Sequence, residues 1–239
     1  MMTPPIDLTN NTKTLLLATT NEGKRQEIQT FFENHQIPIH VIIPTQLNDV
    51  EETGTTFLAN AHLKARAAIT NPTSSNWVMA EDSGFSIPAL DGQYGHSPFP
   101  GIQSNRWMTP PIRAELLGIN SNDPVIQPHL SAGIYALIEK HQLTSPINAQ
   151  YHCAMVVLNK QTGECLFETE ETTQLTIVPQ GTPAGPHGFG YDPITCPSPE
   201  ELTGIENVPP YQSTSDLPTN IKNQFSHRAK ALQAFLKGR

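Results

Sequence analysis

The sequence predicts an α/β fold with a mixed central sheet, flanking helices and two lobes. Three observations carry that expectation. Before residue 90, short apolar runs alternate with helical segments, the pattern of parallel strands joined by helices. After residue 150, apolar runs follow one another with only turn residues between them, the pattern of antiparallel strands. Long Pro-rich connectors separate these regions, and 22 prolines in 239 residues suffice to stiffen them.

Taken in order, residues 1–13 read as a loose tail and residues 14–239 as a single two-lobed domain. Residues 14–19 form a short buried strand. Thr20-Asn21-Glu22-Gly23-Lys24 follows directly, and a helix from about residue 24 to 34 sets Ile28, Phe31 and Phe32 on one face. Such a turn offers backbone N–H groups and a positive helix end, to which Lys24 adds a full charge. The spacing is not G-x-x-x-x-G-K-[ST], so this is no P-loop, although the physics of holding phosphate oxygens is shared. A capped helix start with no ligand fits the same residues equally well.

Residues 39–43 form the next strand, closed by Pro44. Glu51-Glu52-Thr53-Gly54 leads to a helix capped by Thr55 or Thr56, on which Asn60 and Lys64 are four apart and share a face. Carboxylates before a helix that carries an amide and an ammonium suit a metal and a polyphosphate together, although Lys64 also reads as a surface lysine. Residues 77–80 are an apolar strand, closed by Glu81-Asp82-Ser83-Gly84. Two acids at a strand end cost free energy unless a cation sits between them. A hard cation such as Mg²⁺ would cancel that cost. Gly84 leaves room for a turn or a ligand. An ordinary acidic turn is the alternative.

Residues 108–130 read as a lid or connector with one short helical piece near 114–117, and residues 131–141 as a helix. Residues 151–158 form a strand, 159–163 a turn, 164–168 the returning strand and 172–178 a third strand. In Gly188-Phe189-Gly190-Tyr191-Asp192-Pro193, a ring held on a Gly-rich loop offers a stacking partner for a nucleobase; a hydrophobic plug is the alternative. Lys222 to Arg228 opens the last helix, with Ser226 as cap and His227 and Arg228 in the first turn. Cations there oppose the helix dipole, so an anion or an electron-rich carbonyl should face them.

A net charge of −8 argues against a general nucleic-acid or membrane-surface binder, but not against nucleotide substrates, which need only local cations. Cys153, Cys165 and Cys196 show no paired or zinc-type spacing and read as core filler in a reducing compartment. No window is long and apolar enough to span a membrane, and residues 1–13 lack a signal-peptide core. A cytoplasmic location is expected.

Together these stretches resemble the Ham1-like purine nucleoside triphosphate pyrophosphatases, also called inosine triphosphate pyrophosphatases. The matching segments are Leu17–Lys24, Glu51–Gly54 with Asn60–Ala65, Ala80–Phe85, Pro100-Gly101 with Ser104 and Arg106, Gly188–Pro193, and Ser226-His227-Arg228 with Lys222 before them. They recur in the family's order over nearly the whole chain. The resemblance implies two lobes around a nucleotide cleft, usually in a homodimer, and hydrolysis of ITP, dITP and XTP to the monophosphate and pyrophosphate. Mg²⁺ is the implied cofactor, with Mn²⁺ as substitute.

Residue by residue, the resemblance implies a triphosphate loop at Thr19, Thr20, Asn21, Glu22, Gly23 and Lys24, with Asn60 and Lys64 nearby. It implies Asp82 as general base, Glu52, Glu81 and Asp82 as metal ligands, and Ser83 as a substrate contact. Phe189, Gly190, Tyr191, Asp192, Lys222, His227 and Arg228 fall at the base and sugar pocket. Arg228, which has only donors, is expected to face the purine 6-carbonyl. The chain departs from the family's usual pattern at Glu81, where bacterial members usually carry aspartate, at Thr20, where glycine is common, and at Ser215-Asp216-Leu217, where Ala-Glu-Leu is typical. Segments 93–99, 108–130 and 198–214 also depart from it by an apparent insertion, high proline content and extra length respectively. The alternatives are a house-cleaning pyrophosphatase with another base preference, and a nucleotide-binding sensor with little turnover.

Overall fold

The structure is a computed structural model that describes residues 13–45, 50–120, 124–187, 190–206, 208–209 and 212–238. The expected stacking ring, Phe189, lies outside the described residues, as does most of the expected tail. The described strands form one mixed sheet in the order β2-β1-β3-β5-β6-β7, with β4 on β3. Strand β1 (Lys13–Leu17) pairs in parallel with β2 (Ile39–Ile42) and with β3 (Trp77–Ser86). Antiparallel pairs join β3 to β4 (Pro100–Gly101), and β6 (Cys165–Ile177) to β7 (Thr195–Pro197). The mixed sheet expected from the two sequence patterns is therefore present. Strands β4 and β7 are too short to leave a periodic signal.

Two compact units divide the chain. The first comprises residues 1–83, 153–171 and 227–239, and the second residues 84–152 and 172–226. In the first unit, α1 (Glu22–Asn34) and α6 (His227–Lys237) pack on one face of the strands. Leu15, Leu17, Trp77, Met79, Cys153, Met155 and Val157 share a core with Phe31, Phe32, Leu232 and Phe235. All seven strand residues are odd-numbered, so one face of the sheet meets these helices. The even-numbered Leu16, Val78, Ala80, Ala154 and Val156 are also buried, so both faces are covered. Helix α2 (Phe57–Ile69) is capped by Thr56, whose Oγ1 accepts from the Ala59 N–H at 3.1 Å.

The second unit has its own core, in which Phe85, Phe99, Trp107, Met108 and Tyr191 meet Leu130, Ile134 and Leu137. It contains α3 (Pro110–Leu117), α4 (Gln127–Lys140), the start of β5 (Asn148–Asn159), the end of β6, and α5 (Thr219–Phe225). Proline sits in the first turn of α3 and of α4, where its missing N–H costs nothing. The Pro-rich stretch thus starts two helices, and only part of it connects them.

Three boundaries differ from those expected, each for a physical reason. Strand β3 does not stop before the acids but runs through Glu81, Asp82 and Gly84. The returning strand and the third strand are a single strand, β6, because Glu168–Thr172 alternates between exposed and half-buried positions and needs no break. The last helix is two helices. Ser226 has extended backbone (φ −63°, ψ 149°), so α5 ends there and α6 begins at His227. Lys222 therefore belongs to α5 in the second unit, while Arg228 belongs to the first.

Candidate active site

Adjacent residues on a strand point to opposite faces. Because β3 continues through the acidic pair, Glu81 and Asp82 are separated by the sheet and do not share one cluster. Glu81 follows Trp77 and Met79 onto the face covered by α1 and α6. Asp82 turns to the face covered by α2.

On the α2 face, Asn60 Nδ2 donates to Asp82 Oδ2 at 3.2 Å. Lys64 Nζ lies 2.5 Å from Asp82 Oδ1 and 2.7 Å from Glu52 Oε1, so one ammonium bridges two carboxylates. Burial disfavours the charge on Lys64, but Asp82 and Glu52 outweigh it and raise its pKa above the ordinary lysine value. Asn60 is fully buried, and its Oδ1 accepts from the Gly54 N–H at 2.9 Å. A Cβ on Gly54 would lie 2.5 Å from that Oδ1, so only glycine lets the chain approach Asn60 this closely. Gly54 is thus the seat of the amide that holds Asp82, a role the sequence did not reveal.

On the other face, Glu81 is almost wholly buried, with its side chain 2% exposed. Arg228 Nε and Nη2 donate to its two oxygens at 2.6 and 2.9 Å, and Lys24 Nζ lies 2.7 Å from Oε1. The buried Cys153 thiol donates to Oε2 at 3.7 Å. Arg228 Nη1 donates to Glu27 Oε2 at 2.7 Å. Burial alone would raise the pKa of Glu81, but Arg228 and Lys24 hold it well below the usual carboxylate range. Burial and the neighbouring carboxylate push the Cys153 thiol well up.

These contacts bear on two expectations. Arg228, expected at the purine 6-carbonyl, aims its donors at Glu81 and Glu27 here and is 2% exposed. Glu81 is not placed as a metal ligand, because both its oxygens already face cations and it lies on the opposite face from Asp82. The anion expected opposite the first turn of α6 is real, but it is supplied by the protein. Glu27, one turn after Gly23, was missed; its only signal is the spacing from Lys24, which puts it on the same side of α1.

The turn before α1 is built as a cap. Asn21 Oδ1 accepts from the Lys24 N–H at 3.2 Å, and Thr19 Oγ1 accepts from the Asn21 N–H at 3.2 Å. A Cβ on Gly23 would stand 3.1 Å from Asn21 Oδ1, so a side chain there would crowd the cap. Thr20, Asn21, Glu22 and Gly23 are exposed. Glu22 uses its carboxylate on Arg25 (Nε at 2.9 Å, Nη2 at 2.5 Å), so it has only its backbone to offer an anion. Ser83 is half-buried in β3, and His227 is buried at the start of α6.

In the second unit, Lys222 Nζ donates to Asp192 Oδ2 at 2.9 Å, and Tyr151 Oη to Asp192 Oδ1 at 3.0 Å. Gly190 has φ +63°, the left-handed region glycine tolerates. Tyr191 is a core residue and not a pocket wall. Its ring stacks on Phe85 with centroids 4.3 Å apart, its hydroxyl donates to the Ser104 carbonyl at 2.5 Å, and Trp107 Nε1 donates to that hydroxyl at 3.0 Å.

The two acidic sites differ in how their carboxylates are paired. The Glu81 group balances two carboxylates, Glu81 and Glu27, against two cations, Arg228 and Lys24. In the Asp82 group, Lys64 lies between the carboxylates of Glu52 and Asp82. The donors of that group are hard oxygens, which fits a hard divalent cation.

Comparison with known proteins adds a family. Residues 15–238 match the Ham1 family. The chain is 35% identical over 221 residues to a dITP/XTP pyrophosphatase of Parasynechococcus marenigrum, covering 92% of this chain and 91% of that one. It is 32% identical over 219 residues to a protein of the same name from Aquifex aeolicus, covering 92% and 93%. Among solved structures, the Staphylococcus aureus Ham1 protein matches with a TM-score of 0.64 at 31% identity, over 95% of this chain and 99% of that one. A Coxiella burnetii HAM1 protein matches with a TM-score of 0.70 at 25% identity, over 94% and 97%.

Proposed function

This chain belongs to the Ham1 family, and from that premise we propose that it hydrolyses non-standard purine nucleoside triphosphates (ITP, dITP and XTP) to the monophosphate and pyrophosphate. The observation that carries the reading is Lys64 held between Glu52 and Asp82, with Asn60 fixing the second oxygen of Asp82. A bare acidic cluster would need no such buried amide.

In this reading Glu52 and Asp82 hold Mg²⁺, for which Mn²⁺ substitutes. The metal, when bound, supplies a Lewis acid beside the phosphates and lowers the pKa of a water. Asp82 takes the proton from the attacking water. Asn60 keeps its carboxylate in one orientation. Lys64 trades its carboxylate contacts for phosphate oxygens, and Lys24, beside the exposed α1 turn, neutralises the leaving pyrophosphate. Thr19 to Gly23 offer backbone N–H groups at a positive helix end. In the second unit, Lys222 is our candidate for reading the purine 6-carbonyl, with Asp192 orienting it. Lysine has only donors, which an adenine amino group cannot satisfy. Ser83, Phe189, Gly190 and His227 are retained as candidate substrate contacts from the sequence resemblance.

The test is pyrophosphate release from a panel of triphosphates at equal concentration. ITP, dITP and XTP are expected to turn over far faster than ATP, since sites built on such pairing discriminate by up to roughly 10⁴-fold. Equal rates with ATP and ITP would reject the assignment of substrate. Activity is also expected to vanish in EDTA and to return with Mg²⁺ or Mn²⁺; full turnover in EDTA would remove the metal from the mechanism. We further propose that the enzyme works as a cytoplasmic homodimer. The three free cysteines fit a reducing compartment, and no described helix is long and apolar enough to cross a membrane.

A further inference from the structure

Away from the proposed catalytic residues, α2 and β6 bring together three side chains that have no part in the reaction described above. His62 Nε2 lies 2.7 Å from Glu168 Oε2, and Cys165 Sγ lies 3.8 Å from the same oxygen. All three ligand atoms fall within 4.8 Å of one another. Tetrahedral zinc with ordinary bond lengths sets its N, S and O ligands roughly 3.3–3.6 Å apart. The cluster thus needs only small side-chain movements to close on a metal. We propose that His62, Cys165 and Glu168 form a zinc site that clips α2 to β6, with water completing the tetrahedron.

The chemistry selects the metal. A thiolate and an imidazole are softer donors than Mg²⁺ accepts, whereas one of each with a carboxylate is an ordinary zinc set. The site is reachable, since the His62 side chain is 24% and the Glu168 side chain 50% exposed. Burial and the carboxylate of Glu168 both hold the Cys165 thiol protonated, and a bound cation reverses the second effect. Arg66, one turn after His62, favours the thiolate but repels a cation, so the two anionic ligands work against it. His62 Nδ1 is buried without a hydrogen-bond partner among the described residues. It thus lacks the acceptor that usually strengthens a metal-bound histidine. Three ligands without that support predict weaker binding than a closed four-ligand site.

The test uses Co²⁺ as a spectroscopic substitute, titrated into metal-free protein in excess Mg²⁺, so that the hard-oxygen site is already filled. The wild type is expected to bind one Co²⁺ with a thiolate-to-cobalt charge-transfer band, displaced by Zn²⁺. Cys165→Ser and His62→Ala are each expected to weaken binding at least about 10-fold, and Cys165→Ser to abolish the band. Cys196→Ser, which alters a buried thiol elsewhere, should leave both unchanged. Zn²⁺ should also raise the Tm of the wild type and not of Cys165→Ser. No band in the wild type, or a band that survives Cys165→Ser, overturns the proposal.

Discussion

Asp82→Asn is expected to lower turnover of ITP by at least about 10²-fold, the scale of a lost general base. The substitution is nearly isosteric. It removes the charge while leaving Asn60 and Gly54 in place behind it and Glu52 still paired with Lys64. The variant should therefore fold with a Tm close to that of the wild type, so the loss can be assigned to chemistry. The measurement is kcat for pyrophosphate release at saturating ITP and Mg²⁺, alongside a thermal melt. A kcat near that of the wild type would show that another group takes the proton.

Arg228→Met should act in the opposite way, through stability and not recognition. It leaves Glu81 buried with Lys24 as its remaining cation, and breaking a buried pair from one side costs about 3–5 kcal/mol. Lys24 remains, so the lower end of that range is expected. A double-mutant cycle with Glu81→Gln should recover part of the loss, because the stranded charge is then gone.

The pH dependence carries the same signature. The carboxyl of Glu81 is held below its ordinary value of 4.5 in the folded chain, so on acidification the unfolded chain takes up the proton first. The stabilisation is complete above that value and is lost as pH falls below it towards the folded pKa. Arg228→Met should flatten that limb. Urea unfolding from pH 7 down to pH 3 reads both effects. If instead the variant is as stable as the wild type and its ITP-to-ATP ratio shifts, Arg228 faces the base after all.

Much of this was legible in the residues. The strand–turn–helix at Thr19–Lys24, the pairing of Asn60 with Lys64 on one face of α2, and the mixed sheet all follow from local rules: capping preference, the 3.6-residue period and runs of apolar residues. These rules act over a few residues, and so a sequence displays them directly. The contacts of Asn60 and Lys64 with Asp82 span 22 and 18 positions, and no local rule displays them: the helix period puts the amide and the ammonium on one face, and only packing brings Asp82 to that face.

The direction in which each acid faces was set by tertiary packing. Glu81-Asp82 reads as one cluster, because adjacency in sequence looks like proximity in space. A strand reverses that inference, since continuing β3 by two residues sends the two carboxylates through opposite faces of the sheet. Whether β3 continued depended on the cations that awaited each acid, and Arg228 stands 147 positions from Glu81. The break at Ser226 likewise sends Lys222 and Arg228 to different units although they stand only six positions apart. Residue identity alone fixes which side chains could carry charge and meet a phosphate. The partner each charge found was decided by packing, because burying a carboxylate demands a cation wherever the fold can bring one.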